Sequence, residues 1–472
     1  MLINLHIQYF SKLNQRLFSE FEWKIQPQEN WAIVGNIGTG KSILLKILSG
    51  EEYLSKADGK IEYAPFITHK DIQYISFIDD KKWIKRADFY YQQRYYTSFT
   101  DDEITLKAFL NLEKLNTELQ KTTLQMLQEY KLEACLEVPF IQLSNGQKNK
   151  SILIKALQSD YKLLLLDNPF IGIDMESRAT ILQLIDKLIQ QNKSIIYTCN
   201  YPIFANSTTN ILQLKKHQTP QPILRENFTE NEPSGIKEKK IFSENPASEK
   251  IIELDEVQIK YHHKIILDKI NWTVLRGEKW AVIGENGSGK STLLSLLYAD
   301  HPHTYKNKIL LFNEPRQHQS IWEIKQRIGY LSSEFHLHFN EPLLVWQTIV
   351  SGFTDTLTTS RALTVLQLNS IDELLNVLKI KHLRNRLFLS LSFGEQRLVL
   401  FARAVIKQPE LLILDEAYQG FDQQTIAMCN HYLSYILNPT TTLIFTSHYM
   451  DELPDCIYKY LYLANGKKIR QI

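Results

Sequence analysis

Two stretches of the chain are apolar at every position and then end on an acid: Leu163 to Leu166 before Asp167, and Leu411 to Leu414 before Asp415. Short runs without alternation predict strands buried on both faces, as in a parallel sheet, with the acid delivered to the sheet's end. WAIVG at 31–35 and WAVIG at 280–284 predict two more such strands, each leading through a glycine-bearing turn into a helical pattern, SILLKIL at 42–48 and STLLSLL at 291–297. Apolar residues at helical spacing recur in KNKSILIKALQ (148–158) and QRLVLFARAVI (396–406). No apolar run approaches the roughly 18 residues of a membrane helix. The start, MLINLHIQYF, lacks the basic region and apolar core of a secretion signal. The expectation is a protein that stays in the cytoplasm.

The predicted elements occur twice. WAIVGNIGTGKSILLKIL at 31–48 matches WAVIGENGSGKSTLLSLL at 280–297 at an offset of 249 residues. LSNGQ at 143 matches LSFGE at 391, Asp167 matches Asp415, Asp174 matches Asp422 and Asn200 matches His448, all at an offset of 248. Units this large are domains rather than solenoid repeats. The expected division is 1–214, a linker at 215–250 whose prolines and polar residues show no period, and 251–472.

Composition changes this picture little. With 472 residues, 44% hydrophobic and a net charge of +2, the chain is long enough for two cores and carries no bias toward polyanions. A nucleic-acid partner is not expected. Cys135, Cys199, Cys429 and Cys456 form no close-spaced pair, so buried reduced thiols are expected rather than a zinc or iron–sulfur site.

The glycines carry the chemistry. Gly35, Gly38 and Gly40 precede Lys41 and Ser42, and Gly284, Gly287 and Gly289 precede Lys290 and Ser291, in the pattern G-x-x-x-x-G-K-S between strand and helix. Such a loop turns backbone N–H groups around a phosphate, the lysine reaches the outer phosphate oxygens, and the serine hydroxyl serves Mg²⁺. The expected nucleotide loops therefore run from Gly35 through Asn36 to Ile43, and from Gly284 through Glu285, Asn286 and Ser288 to Thr292. Ser144 with Gln147, and Ser392 with Glu395, predict capping boxes on two helices, with Gly146 and Gly394 opening a second anion site at each helix start.

In order, P-loop, LSNGQ or LSFGE signature, LLILDE, GFD and FTSH are the motif set of the ABC ATPases, which this chain resembles over nearly its whole length apart from the linker. The two-cassette arrangement is similar to the ModF and PhrA type. The resemblance implies an α/β fold of two P-loop nucleotide-binding domains, each with a RecA-like core, an antiparallel β-subdomain and a helical subdomain, at 100–142 and 341–390. It implies ATP and Mg²⁺ as cofactors, intramolecular pairing of the cassettes, and each ATP lying between one P-loop and the other half's signature. By position, Asp167 and Asp415 resemble the metal-side acids, together with Ser42 and Ser291. Glu416 resembles the residue that positions the attacking water, Asp174 and Asp422 the D-loop acids, and His448 the γ-phosphate switch. Tyr261, and in the first half Phe10, resemble the adenine-stacking aromatic.

The first half departs from this pattern. Asn168 stands for the glutamate and Asn200 for the histidine. An amide cannot accept a water's proton, so the first site is expected to bind MgATP and turn it over slowly or not at all. The other reading is that Asn168 only trims an adequate rate, since positioning and charge stabilisation supply most of phosphoryl-transfer catalysis. Phe393 occupies a signature position usually held by glycine. Lys290, Glu416 and His448 form the catalytic set of the second half.

Ser333, after IGYLS, and Phe77, after IQYIS, stand where the family places a glutamine that couples a cassette to a membrane subunit. The resemblance still implies a permease partner and a place at the inner face of the membrane. A soluble ATPase acting on the ribosome or linked to DNA repair is the alternative; Pro220, Pro222, Pro233 and Pro246 argue against the helical hairpin that joins the cassettes of ribosome-acting relatives, and no ribosome association is expected. The aromatics and cations of 83–99 are expected to pack the helical subdomain, with base stacking as the other reading. His336 and His338 are expected as solvated or strand-facing residues rather than metal ligands.

Overall fold

The computed structural model describes residues 2–12, 15–78, 104–140, 143–190, 193–200, 202–216, 218–228, 249–261, 264–298, 304, 306–356, 363–447 and 452–471. His448 and the aromatic segment 83–99 lie outside the described residues. The chain divides into two compact units.

The first unit is built on a six-stranded sheet in the order Ile72–Ser76, Leu163–Asp167, Ser194–Cys199, Trp31–Gly35, Asn210–Leu214, Gln221–Leu224. The first five strands are parallel and the last is antiparallel. The unbroken apolar runs follow from a two-sided burial. Leu164 and Leu166 join one core cluster with Ala32 and Val34, whereas Leu163 and Leu165 join another with Trp31 and Ile33 on the opposite face. Each such side chain removed from water contributes about 1.5–3 kcal/mol. A three-stranded antiparallel sheet, Gln15–Ile25, Ile3–Lys12 and Gly59–Tyr63, covers the second cluster. The helices Leu106–Phe109 and Thr117–Glu129 lie on the first.

The second unit repeats the order with Ile328–Leu331, Leu411–Asp415, Thr442–Thr446, Lys279–Ile283, Lys459–Ala464 and Lys467–Gln471. Its antiparallel sheet has four strands, Lys264–Leu275, Lys250–Tyr261, Lys308–Leu311 and Glu314–Pro315. Val345–Thr354 and Val365–Val377 are its added helices.

Two local expectations change. Part of the segment expected to be linker is sheet: Gln221–Leu224 pairs with Asn210–Leu214, with Pro222 opposite Leu212. Proline is tolerated there because the strand is an edge and its outer side needs no donor. Arg225 then donates to the carbonyls of Ala205 and Asn206 at 2.7 and 2.8 Å, and Phe228 meets Phe204 edge-on at 5.6 Å. His338 is exposed as expected, but His336 is neither solvated nor facing a strand. Ser332 Oγ accepts from Phe335 N at 2.9 Å and starts a helix, Ser333–His338, that buries His336 against Phe393 at a ring separation of 4.4 Å.

Candidate functional site

In both units the glycine loop joins a central strand to a helix start. Trp31–Gly35 runs into Lys41–Ser49, and Lys279–Ile283 into Lys290–Leu297. Gly40 and Gly289 cap these helices at φ 94° and 100°, where a Cβ is disfavoured. Space forbids one as well: a Cβ at Gly40 would come 2.7 Å from the Phe18 ring. Phe10 packs against that same Phe18 and is only 4% exposed, so its ring belongs to the core and offers no open face to a base. Tyr261 ends the strand Lys250–Tyr261 and pairs through its backbone with Lys264.

The two lysines curl over their own loops. Lys41 Nζ donates to the carbonyls of Gly35 at 2.5 Å and Asn36 at 3.1 Å, and Lys290 Nζ to those of Gly284 at 2.6 Å and Glu285 at 2.9 Å. Burial draws the Lys41 ammonium down to about 8.

The strand-end acids stand beside the loop serines. Ser42 Oγ donates to Asp167 Oδ1 at 2.9 Å, and Thr198 Oγ1 to the same oxygen at 3.0 Å. In the second unit Thr446 Oγ1 donates to Asp415 Oδ1 at 2.6 Å, and the Ser291 hydroxyl lies close enough to the Asp415 carboxyl to oppose the rise in its pKa. Burial raises the pKa of both acids, and the Glu416 carboxylate adds to the rise at Asp415. One buried carboxylate with one hydroxyl is the small hard-oxygen donor set that suits Mg²⁺, which takes its remaining ligands from phosphates and water. The described residues hold no cluster of three or more His, Cys, Asp or Glu that would bind a metal without a phosphate.

The residues after these acids differ in direction as well as charge. Asn168 and Glu416 both have positive φ, 57° and 50°, and each N–H donates to the threonine of the next strand, at 2.7 Å to Thr198 Oγ1 and 2.9 Å to Thr446 Oγ1. Asn168 turns its amide onto Asp167 Oδ1 at 2.9 Å, and the Tyr74 hydroxyl takes Asp167 Oδ2 at 3.0 Å. Glu416 faces Ser333 Oγ at 3.4 Å instead.

Arg397, which sequence reasoning missed, lies beneath Glu416. Fully buried, it donates Nη2 to the carbonyls of Asp415 at 3.2 Å and Glu416 at 2.6 Å, and Nε to Ala417 O at 3.1 Å. Burial draws its pKa down to about 10. Its counterpart at the 248-residue offset is Asn149, which reaches only Pro169 O at 3.1 Å and Ile171 O at 3.5 Å. An arginine at the start of the apolar pattern QRLVLFARAVI, where KNKSILIKALQ has Asn149, was the available signal.

Both signature helices are capped as expected. Ser144 N donates to Gln147 Oε1 at 3.0 Å and Gln147 N to Ser144 Oγ at 3.3 Å, starting Asn145–Leu157. Ser392 N donates to Glu395 Oε2 at 3.0 Å and Glu395 N to Ser392 Oγ at 3.4 Å, starting Phe393–Val405. Gly146 and Gly394 are buried in the first turns. A Cβ at Gly146 would strike Ser177 Oγ at 2.5 Å. Asp174 caps the next helix through Ser177 N at 2.7 Å. Asn200 follows the end of the strand Ser194–Cys199.

The family model described as "ABC transporter" matches the chain twice, over residues 18–171 and 267–419. The chain belongs to the ABC transporter family. Among relatives of this tandem-cassette ABC ATPase, an uncharacterized ABC transporter ATP-binding protein of Schizosaccharomyces pombe is 32% identical over 96% of each chain. The ABC transporter ATP-binding protein ModF of Escherichia coli is 31% identical over 94% of this chain and 93% of its own. Among solved structures, the archaeal ribosome recycling factor aABCE1, in complex with the stalk protein aP1, aligns with 99% of this chain and 89% of its own at a TM-score of 0.55 and 15% identity, a likeness of fold. As an ABC ATPase the protein binds and hydrolyses ATP.

Proposed function

We propose that hydrolysis is confined to the second cassette, where Glu416 orients the attacking water, and that the first cassette binds MgATP without turning it over at a comparable rate. The observation that carries this reading is the direction of the two side chains: Asn168 is spent on Asp167, whereas Glu416 is held by its backbone beside Ser333. Lys290 supplies the charge on the transferred phosphoryl group, and Ser291 with Asp415 would hold Mg²⁺, as Ser42 with Asp167 would in the first cassette. The ion, when bound, neutralises developing charge on the phosphate oxygens. His448 enters by its motif alone, as the γ-phosphate contact that Asn200 does not replace.

Steady-state ATPase assays test the proposal. Glu416→Gln is expected to lower turnover by about 10² to 10⁴ while ATP still binds. Asn168→Glu is expected to restore little. A Glu416→Gln protein keeping more than about a tenth of the wild-type rate, or an Asn168→Glu protein about doubling it, overturns the assignment.

The names of the relatives, ABC transporter ATP-binding proteins, support a role as the ATP-binding component of a transporter-like system in the cytoplasm, working with a permease at the membrane's inner face. No helix among the described residues is long and apolar enough to cross a membrane, so the transport path would belong to the partner. Fractionation of a cell lysate with ATP retained tests this. Recovery with membranes supports it, and cofractionation with ribosomes favours the translation-factor alternative.

A further inference from the structure

We infer that Ser333 and Gln419 are positioning residues that fix the Glu416 carboxylate for attack, an inference resting on the reading of Glu416 given above. Ser333 stands at the end of the strand Ile328–Leu331, which pairs with the strand carrying Asp415. Its hydroxyl accepts from Arg397 Nη2 at 3.2 Å and lies 2.6 Å from Gln419 Oε1 and 3.4 Å from Glu416 Oε2. A hydroxyl has one proton to give. The proton is therefore shared in a three-centre bond, with its short branch to Gln419 Oε1 and its long branch to Glu416 Oε2. The hydroxyl is thus pinned from two sides, by a buried guanidinium and by an amide, at a point beside the carboxylate. Gln419 is itself tied to the same turn, its N–H donating to Glu416 O at 3.0 Å.

The other cassette supplies an internal control. The positions matching Ser333, Arg397, Glu416 and Gln419 hold Phe77, Asn149, Asn168 and Ile171. Phe77 is buried in the apolar core at 5% exposure, and Ile171 packs against that core. Buried polar groups are costly unless partnered, so a hydroxyl, an amide and a guanidinium gathered at one turn call for a reason. The set is present where the carboxylate is present and replaced throughout where it is not. The backbone conformation, by contrast, is common to both cassettes, with φ 57° at Asn168 and 50° at Glu416, so the network is not needed to make the turn.

The test uses the intact chain in steady-state ATPase assays, with KM separated from kcat. Ser333→Ala and Gln419→Ala are each expected to lower kcat about tenfold to a hundredfold, the scale of a misplaced reacting group, with KM for ATP unchanged within about twofold. Ser333→Thr, which keeps the hydroxyl, is expected to recover most of the loss. If Ser333→Ala fails to fold, Gln419→Ala reads the same contact. The inference is overturned if these alanine variants keep more than about half of kcat, or if KM rises in step with the loss and threonine gives no rescue. A Glu416→Gln control separates the two readings: turnover surviving in that variant removes both, whereas an inactive control beside an unimpaired Ser333→Ala removes this inference alone.

Discussion

Asn168 and Glu416 share a left-handed backbone, but asparagine tolerates it through its short polar side chain and glutamate does not. The position proposed to orient the attacking water therefore carries strain of about 1 kcal/mol that its counterpart avoids. Glu416→Asn is expected to raise the thermal unfolding temperature of the second cassette by about 2–4 °C while removing turnover. Calorimetry alongside an ATPase assay would show the opposed changes, and a lowered unfolding temperature would count against strain at this residue. Tyr261→Ala is expected to weaken ATP affinity by about 0.5–1.5 kcal/mol without abolishing hydrolysis at saturation. A nucleotide titration showing no change would place adenine on another residue.

The helix Phe393–Val405 does two tasks in the second cassette, opening the signature at one end and carrying Arg397 under the turn at Glu416. Lysine cannot fork across three carbonyls as arginine does. Arg397→Lys is expected to cost about 1–3 kcal/mol in denaturant unfolding and to lower kcat together with stability; unchanged unfolding and rate would show the carbonyls to be satisfied otherwise. The neighbouring helix Ser333–His338 sets a pH dependence. Burial holds the His336 ring down to about 3, whereas an unfolded histidine takes up its proton near about 6.5. Unfolding then gains a proton, so stability is full above about pH 6.5 and falls as pH drops toward 3. His336→Phe is expected to flatten that slope in unfolding experiments between pH 7 and 4, and an identical slope would assign the loss elsewhere.

Across the whole molecule, what could be read in the sequence was what a repeated motif or an unbroken apolar run states directly. The strands ending at Asp167 and Asp415, both glycine loops and both Ser-x-x-Gln/Glu caps lie where residue type and spacing put them. The rest depended on tertiary environment. Nothing local marks Arg397 as a donor to three carbonyls, Ser333 as a neighbour of Glu416, or His336 as buried, because each is defined by a partner beyond its own element, about 20 to 80 residues away. Lysine variants of the two loops test the division of labour at this scale. Lys41→Ala and Lys290→Ala are each expected to weaken nucleotide binding at their own site, and only the second to stop turnover. Equal losses of rate would show that both cassettes hydrolyse.

The strand Gln221–Leu224 also decides where the first cassette can be cut. A fragment ending at residue 214 would leave Asn210–Leu214 as a bare sheet edge, its outward N–H and C=O groups open to pairing with another copy. A fragment ending at residue 228 keeps that edge covered by a strand in which Pro222 removes one donor, and keeps Arg225 and Phe228 docked. The longer fragment is expected to stay monomeric on gel filtration and the shorter one to self-associate. Pro222, which looks like punctuation between two domains, thus acts as a guard on the first of them against aggregation.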